Sequence, residues 1–273
     1  MTVDHDLLGR TAIVTGASSG IGRAVAERLG AAGATVFLHG RTRAPMEATT
    51  AAIEAAGGRA EIALFDIRDH DALHALVDQA AADTGRLDIM VNNAGTATRE
   101  PVLAGNPVSW RELFEVNVIA LLAGSQAAVA QMRRLGHGGH IVNVSSTSAV
   151  DPDGGVYGAT KAAVSYLTRV LRAELEDDDI RVATVSPGPV ATNILRGWDP
   201  QIVAGVAALS GLDVEVKQGE RLPDAVLDGA QAALDRMIAK PADIAEAVHY
   251  IVRQPLRLTI ADLVIRPAKQ LAL

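Results

Sequence analysis

The chain of 273 residues and 28.4 kDa is long enough to bury the core of one large α/β domain. Its net charge of −7 argues against a surface for nucleic acid or an anionic membrane, and the absence of cysteine excludes disulfides, thiolate catalysis and cysteine metal sites. The first nine residues are polar and acidic, unlike a secretory signal, and no apolar run reaches the ~18 residues of a membrane span. These bounds predict a soluble cytoplasmic protein with no metal site.

Short apolar strands alternate with helical patterns along most of the chain. We expect strands over residues 11–15, 35–39, 60–65, 88–92, 139–145, 180–186 and 259–265. We expect helices from the turn at 16–22 to about residue 32, and over 45–56, 70–84, 108–134, 157–176 and 241–253. This alternation is typical of a doubly wound parallel sheet with helices on both faces. Residues 189–238 break the rhythm and are predicted to form a helical flap over the strand ends, within a single domain spanning 1–273.

The first strand–turn–helix unit carries Gly16, Gly20 and Gly22, spaced GxxxGxG. Glycine lets the backbone turn tightly and approach a pyrophosphate, whose charge is favoured at a helix N-terminus. The spacing differs from the more common GxGxxG, but its place after the first strand of a βαβ unit predicts a dinucleotide site.

The end of the second strand indicates which dinucleotide is bound. A carboxylate there would accept hydrogen bonds from the ribose 2′-OH of NAD, but this chain has Gly40 followed by Arg41. A guanidinium suits a 2′-phosphate, so we expect NADP(H), with a solvated surface arginine as the alternative. Asp66 and Ile67 end the third strand and are placed to meet the adenine, while small residues at 92–95 allow close approach of a cofactor.

Tyr157 and Lys161 are four residues apart and lie on one face of a predicted helix. A phenol titrates near ~10 and becomes a useful acid–base group at neutral pH only beside a cation, which Lys161 would supply. Ser145 and Ser146, at the end of the preceding strand, can hold a carbonyl or alcohol oxygen beside the phenol. Asn117, inside an apolar helix, either bonds to its own backbone or anchors a water that links Lys161 to solvent.

The motifs TGASSGIG (15–22), NNAG (92–95), Asn117, Ser146, Tyr157-x-x-x-Lys161 and Pro187-Gly188 together resemble the classical short-chain dehydrogenases/reductases in order and approximate spacing. The resemblance covers about residues 8–192 and returns weakly at 241–267. It implies a Rossmann-type fold with a seven-stranded parallel sheet, a nicotinamide cofactor and a small alcohol or carbonyl substrate. It also implies a homodimer or homotetramer that packs through the helices at 108–134 and 157–176.

The resemblance also implies a role for each site residue. Tyr157 is the expected general acid/base and Ser146 positions the carbonyl. Lys161 binds the nicotinamide ribose and lowers the tyrosine pKa, and Asn117 holds a relay water. From the motifs and the resemblance together, the residues expected to contact the cofactor are Gly16, Ser18, Ser19, Gly20, Ile21, Gly22, Arg41, Asp66, Ile67, Asn93, Ala94, Gly95, Tyr157, Lys161, Pro187, Gly188, Val190 and Thr192.

The chain departs from the family pattern beside the expected catalytic serine. Ser146 precedes Tyr157 by 11 residues rather than the usual 13, so the loop at 151–155 is shortened and Ser145 and Ser148 remain candidates for the same role. Strand register favours Ser146.

The ending at 263–267 is similar to that of NADP-dependent reductases that act on hydroxy acids, serine-like alcohols and aldehydes.

A largely apolar substrate cleft is expected next to these residues. Its predicted lining is Thr96, Ala97, Ser148, Val150, Val156, Pro189, Ile194 and Trp198. Arg196 would either bind an acidic substrate or, more in keeping with a flap residue, face solvent.

The sequence thus predicts an oxidoreductase that transfers hydride between NADP(H), or alternatively NAD(H), and a ketone, aldehyde, hydroxy acid or the corresponding alcohol. One alternative is an NAD-linked sugar-type or steroid-type alcohol dehydrogenase. Another is a nucleotide-binding regulator without turnover, against which the intact Ser–Tyr–Lys–Asn set argues.

Overall fold

A seven-stranded parallel sheet forms the centre of the computed structural model, which describes residues 5–98, 100–194, 200–212, 220–235 and 237–269. The strands are β1 (Thr11–Thr15), β2 (Thr35–Gly40), β3 (Arg59–Leu64), β4 (Ile89–Asn92), β5 (Gly139–Val144), β6 (Ile180–Pro187) and β7 (Asp262–Ile265). Their order is β3-β2-β1-β4-β5-β6-β7, so the direction of winding reverses between β1 and β4. In such sheets ligands bind at the carboxyl ends of the strands, beside this reversal.

Helices cover both faces of the sheet. They are α1 (Gly20–Ala31), α2 (Arg43–Ala55), α3 (His70–Thr84), α4 (Pro107–Phe114), α5 (Ala120–Leu135), α6 (Gly155–Glu174), α7 (Pro200–Leu209), α8 (Asp224–Ala233) and α9 (Pro241–Val252). Local chemistry sets several ends: Asp69 caps α3 by accepting from the Ala72 amide, and Gly85 ends it with φ 72°. The predicted doubly wound α/β fold is confirmed.

The core lies in two layers, one on each side of the sheet. Val14 of β1 packs with Leu29 and Val248, on the side of α1 and α9, whereas the adjacent Ile13 packs with Leu73 and Met132, on the side of α3 and α5. Successive side chains of a strand point to opposite faces, so a strand covered on both faces is apolar throughout. This explains the unbroken apolar run that marks β1 in the sequence.

The helix predicted over 108–134 consists instead of α4, a π-helical turn at Glu115–Ile119, and α5. The turn contains Asn117, whose side chain is 1% exposed and is bonded to the backbone of Thr96. A π-turn fits one more residue into the helix, which changes the side-chain directions there. Of the two alternatives for Asn117, the bond to its own helix is wrong, because the amide bonds to a different segment.

The helical run from Pro107 to Leu135 is long and apolar enough, by length and composition, to cross a membrane, so the prediction that no such stretch exists is wrong. It is the one helix of that kind among the described residues. Its buried face, including Ala128 and Met132, packs with Met90 and Ile141 of the sheet. This packing is that of a core helix.

A chain of buried amides crosses the middle of the sheet. Asn92 of β4 donates to Asn143 of β5 (2.9 Å) and to Ser125 of α5 (3.0 Å), and Asn143 donates to Thr168 of α6 (3.0 Å). Because Asn92 and Asn143 are register partners, the bond between them requires the observed alignment of β4 and β5.

Residues 189–238 contain α7 and α8, as the prediction of a helical flap requires, and Val203, Leu222 and Leu227 form a small hydrophobic cluster there. Arg196 and Trp198 lie outside the described residues. Smaller differences lie at element ends: α6 begins at Gly155 rather than Tyr157, and β7 begins at Asp262 rather than residue 259.

Candidate active site

A cavity of about 1170 Å³ opens at the carboxyl ends of the strands. Every residue expected to contact the cofactor lines it, and so do Ser146 and six of the expected cleft residues, namely Thr96, Ala97, Ser148, Val150, Pro189 and Ile194. Asn117 and Val156 do not line it. Lining residues that the sequence did not single out include His39, Arg221, Leu234 and Ile238.

The glycine turn between β1 and α1 forms one wall of this cavity. Gly16 and Gly20 have φ of 70° and 54°, the left-handed region that favours glycine. A Cβ on Gly22 would lie 2.2 Å from the Gly16 carbonyl oxygen, so no other residue fits there. Ser19, the N-cap of α1, makes no side-chain cap bond, which leaves amides of the first turn for an anion. These features fit the pyrophosphate of a dinucleotide.

The turn is held from two sides. On the β4 side, the Thr15 hydroxyl accepts the Asn93 amide (3.0 Å), and the Asn93 side chain donates to the Thr15 carbonyl (2.9 Å). On the β2 side, His39 Nδ1 accepts the Gly16 amide at 3.3 Å. Burial lowers the pKa of His39 to about 4, so the ring is neutral at physiological pH.

At the end of the cavity next to β2 and β3 lie an exposed arginine and a carboxylate that is paired with another arginine. The Arg41 side chain has no hydrogen bond or ion pair within the described part of the chain, and it is exposed. Asp66 instead accepts two bonds from the Arg68 guanidinium (2.9 and 2.7 Å) and one from the Arg68 amide (3.0 Å), which hold the pKa of its carboxyl well below the usual range. A Cβ on Gly40 would lie 2.6 Å from Met46 Sδ, so a carboxylate at this position would have to displace Met46.

Tyr157 lies in the first turn of α6, within reach of Ser146 at the end of β5. The Ser146 hydroxyl hydrogen-bonds to the phenol and accepts the Ser148 amide (3.1 Å). Ser145 is engaged elsewhere, because its hydroxyl donates to the Lys161 carbonyl (2.9 Å) and lies 2.8 Å from the hydroxyl of Ser165. Of the serine candidates, Ser146 is the one whose hydroxyl meets the phenol.

Lys161 is almost fully buried behind Tyr157. It is 4% exposed, and its Nζ donates to the Val144 carbonyl (2.9 Å) and lies 5.9 Å from the centre of the Tyr157 ring. Burial lowers the pKa of Lys161 to about 8 and raises that of Tyr157 to about 12, although the bond from Ser146 opposes the latter. The expected net lowering of the Tyr157 pKa is thus not what this geometry gives, because burial outweighs the influence of an ammonium turned toward a carbonyl.

Asn117 lies behind the cavity wall. Its Oδ1 accepts the Thr96 amide (2.9 Å), and its Nδ2 donates to the Thr96 carbonyl (2.9 Å) and the Thr160 hydroxyl (3.0 Å). Both amide hydrogens are therefore used within the protein. A Cβ on Gly95 would lie 3.3 Å from Asn117 Oδ1 and 3.7 Å from Lys161 Nζ, so the three residues are in close contact.

A cluster of three charged side chains, Arg23, Arg221 and Asp224, joins the flap to the glycine turn. Arg23 is far from the other two residues in the sequence, and no spacing pattern predicts its contact with the flap. Arg221 donates to the Ser18 carbonyl (3.1 Å) and to Asp224 (3.0 Å). Arg23 of α1 donates to the same two partners, at 3.2 Å to Ser18 and 2.8 Å to Asp224. This cluster places the start of α8 over the pyrophosphate end of the cavity.

A parallel sheet with a glycine turn at its winding reversal and a Ser–Tyr–Lys group beside it defines a class of dinucleotide-dependent oxidoreductases. The family model for short chain dehydrogenases matches residues 10–202, and the chain belongs to the short-chain dehydrogenase/reductase family. It is an NAD(P)-dependent dehydrogenase/reductase. No group of three or more histidine, aspartate or glutamate side chains suited to a metal occurs among the described residues.

Several relatives match over most of their length. Dehydrogenase/reductase SDR family member 11 of Bos taurus is 33% identical, with 96% of this chain and 97% of the relative covered. An oxidoreductase of Methylorubrum extorquens is 38% identical over 78% of this chain and 85% of its own.

Two solved structures share the fold. A metagenomic short-chain oxidoreductase in complex with NADP has a TM-score of 0.74 and 29% identity, covering 97% of this chain and 100% of its own. A short chain dehydrogenase from Mycobacterium paratuberculosis bound to NAD has a TM-score of 0.78 and 31% identity, covering 96% and 97%. The two neighbours hold different cofactors.

Proposed function

We propose that this protein transfers hydride between NADP(H) and a carbonyl or alcohol, with Tyr157 as the general acid/base. The observation that carries the proposal is the contact between the Tyr157 and Ser146 hydroxyls at the wall of the cavity, with the Lys161 ammonium behind the ring. A non-catalytic dinucleotide-binding regulator would not require this arrangement.

When bound, the nicotinamide supplies or accepts the hydride, and the residues of the chain handle the oxygen and its proton. In reduction, the Ser146 and Tyr157 hydroxyls hold the carbonyl oxygen by hydrogen bonds. As negative charge develops on that oxygen, Tyr157 gives it the phenolic proton. The nearby Lys161 ammonium stabilises the resulting phenolate. In oxidation, the same phenolate takes the proton of the alcohol.

Replacing Tyr157 with Phe tests this mechanism. The variant should still bind the dinucleotide but lose at least the ~10²–10⁴ in kcat that a positioned proton donor contributes. Tyr166→Phe is the matched control, because Tyr166 lies on the same helix and is 60% exposed. Turnover by the Tyr157 variant at a rate close to that of the parent would remove Tyr157 from the mechanism.

We further propose a preference for NADP(H), supported by the exposed Arg41 guanidinium, which bonds to none of the described residues, and by glycine in place of a carboxylate at position 40. A hydrogen bond to a charged group contributes ~1.5–3 kcal/mol, and each ~1.4 kcal/mol is tenfold in affinity, so NADPH should bind about ten to a hundred times more tightly than NADH. Arg41→Ala should lose most of this difference while leaving NADH binding unchanged.

Arg43→Ala is the control for Arg41→Ala, because Arg43 is also an exposed arginine near the end of β2 but its guanidinium is paired with the Glu47 carboxylate at 3.8 Å. Equal dissociation constants for the two cofactors in the unmutated protein would contradict the preference. Gly40→Asp should reverse the order only together with a smaller residue at 46, because its Cβ would otherwise collide with Met46.

The substrate we propose is a carbonyl compound with an apolar substituent. Ala230, Leu234 and Ile238 line the flap side of the cavity, together with Pro189 and Ile194. An apolar wall leaves sugar hydroxyls without partners, which argues against a sugar-type dehydrogenase. A panel of aliphatic and aromatic ketones, aldehydes, hydroxy acids and sugars should show the highest kcat/KM for the apolar carbonyls, and higher activity on sugars would contradict this assignment.

We also propose that the protein is a homodimer or homotetramer that acts in the cytoplasm. Phe114, Ile119 and Tyr166 are exposed on α4, the π-turn and α6, where their burial against a second copy would be favourable. The lack of cysteine fits a reducing compartment.

A further inference from the structure

His39 is a buried polar residue on the cavity wall that the proposed mechanism does not use. It is 2% exposed, lies one residue before the end of β2, and its ring centre is 4.3 Å from that of Phe65. Its Nε2 is 3.1 Å from the Phe65 carbonyl, which can only accept, so Nε2 carries the ring proton. The lone pair of Nδ1 therefore faces the amide of Gly16.

The same residue also holds the next amide of the turn. The His39 carbonyl accepts the Ala17 amide at 2.9 Å, so side chain and backbone together bind two consecutive donors. Gly16 is where the chain leaves β1 with φ 70°, and every later amide of the turn depends on its direction. On the opposite side, the side chains of Thr15 and Asn93 hold the same turn. Without the ring acceptor, the Gly16 amide would lose its side-chain partner, although other side chains bond to the carbonyls of the turn.

We propose that His39 is a positioning residue for the dinucleotide, whose Nδ1 fixes the glycine turn in the geometry that receives the pyrophosphate. The inference rests on the proposed function, because it concerns the same cofactor. A preorganised turn does not have to be ordered at the moment of binding, so its effect appears in cofactor affinity. It does not appear in the chemical step, because His39 does not contact Ser146, Tyr157 or Lys161.

Two substitutions of similar polarity separate positioning from packing. In His39→Asn the side-chain oxygen can replace Nδ1 as the acceptor for Gly16, whereas in His39→Gln the amide nitrogen replaces Nε2 and the acceptor is lost. We expect His39→Gln to raise KM for NADPH about tenfold, with kcat at saturating cofactor within about twofold of the parent. His39→Asn should restore most of the affinity.

His140→Gln is the matched control. His140 is equally buried, its pKa is likewise lowered to about 4 by burial, and it lies at the amino end of β5, opposite Ile89 and away from the cavity lining. This variant should leave KM for NADPH unchanged. A similar rise in KM in His39→Asn and His39→Gln, or no rise in either, would overturn the inference.

Failure of the unmutated protein to bind any dinucleotide would refute the proposed function instead, so the two failures are distinguishable. If His39→Gln does not fold, the unmutated protein still decides the question by NMR. A scalar coupling across the hydrogen bond between the Gly16 amide and His39 Nδ1 is expected, and protonation of Nδ1 in place of Nε2 would overturn the inference.

Discussion

Lys161 is a buried ammonium whose presence should cost stability, and Lys161→Met should show it. Its Nζ bonds to the Val144 carbonyl, and no carboxylate pairs with it among the described residues. Burial lowers its pKa from 10.5 to about 8, a displacement that corresponds to about 3 kcal/mol. Since the pKa is lower in the folded state, this penalty is present in full below about pH 8 and disappears as the pH rises toward 10.5.

Methionine has a similar length and carries no charge, so the substitution removes the penalty but leaves the Val144 carbonyl without its donor. An unpaired buried acceptor costs ~1–3 kcal/mol, so we expect a net gain in the free energy of unfolding of about 1 kcal/mol at pH 7. Activity should be lost at the same time, which is the usual exchange between stability and function.

Urea unfolding of both proteins at pH 7, 8, 9 and 10 measures the difference. The advantage of Lys161→Met should shrink with rising pH and reverse once the lysine of the parent is neutral. Arg169→Met, an exposed change on the same helix, controls for the loss of a positive charge. A variant that is less stable than the parent at pH 7, with a difference that does not vary with pH, would refute the reasoning.

Three further predictions follow from the structure. Because burial lowers the pKa of His140 from 6.5 to about 4, the folded protein should lose stability as the pH falls between these values, and His140→Gln should flatten that slope in urea unfolding at pH 7 and pH 5. Asp224→Asn weakens the bonds from Arg23 and Arg221 that hold the flap, so NADPH should dissociate several-fold faster in stopped-flow fluorescence, and this rate should depend less on salt concentration. An unchanged dissociation rate would show that these bonds do not control cofactor release. Light scattering at micromolar concentration should give a mass near a multiple of 28.4 kDa, and a strict monomer would contradict the proposed assembly.

The sequence was most informative where structure depends on neighbours along the chain. Strand–helix alternation and the glycine spacing predicted the topology, because periodicity and backbone sterics act over a few residues. The same holds for Tyr157 and Lys161, whose spacing alone puts them on one helix face.

Contacts between distant segments could not be predicted in this way. The bonds of Asn117 go to Thr96, and Met46 lies against Gly40; neither follows from local spacing. The bond from Gly16 to His39 joins residues 23 positions apart, and a histidine at a strand end carries no signal that separates it from an ordinary core residue. The direction of the Tyr157 pKa shift depended on burial, which needs the full fold.

The buried amide chain has a consequence for how the molecule folds. Asn92 and Asn143 are 51 residues apart, and parallel strands of such separation pair slowly because a long loop must close first. If β5 slid by one residue, Asn143 would turn to the other face and both amides would be left unpaired, at ~1–3 kcal/mol for each group. Misregistered intermediates therefore carry a penalty while they compete with the native pairing. Asn92 directly precedes Asn93, and Asn143 lies three positions before Ser146. The hydrogen bond that disfavours a wrong register therefore also aligns the two strand ends that carry these walls of the cavity.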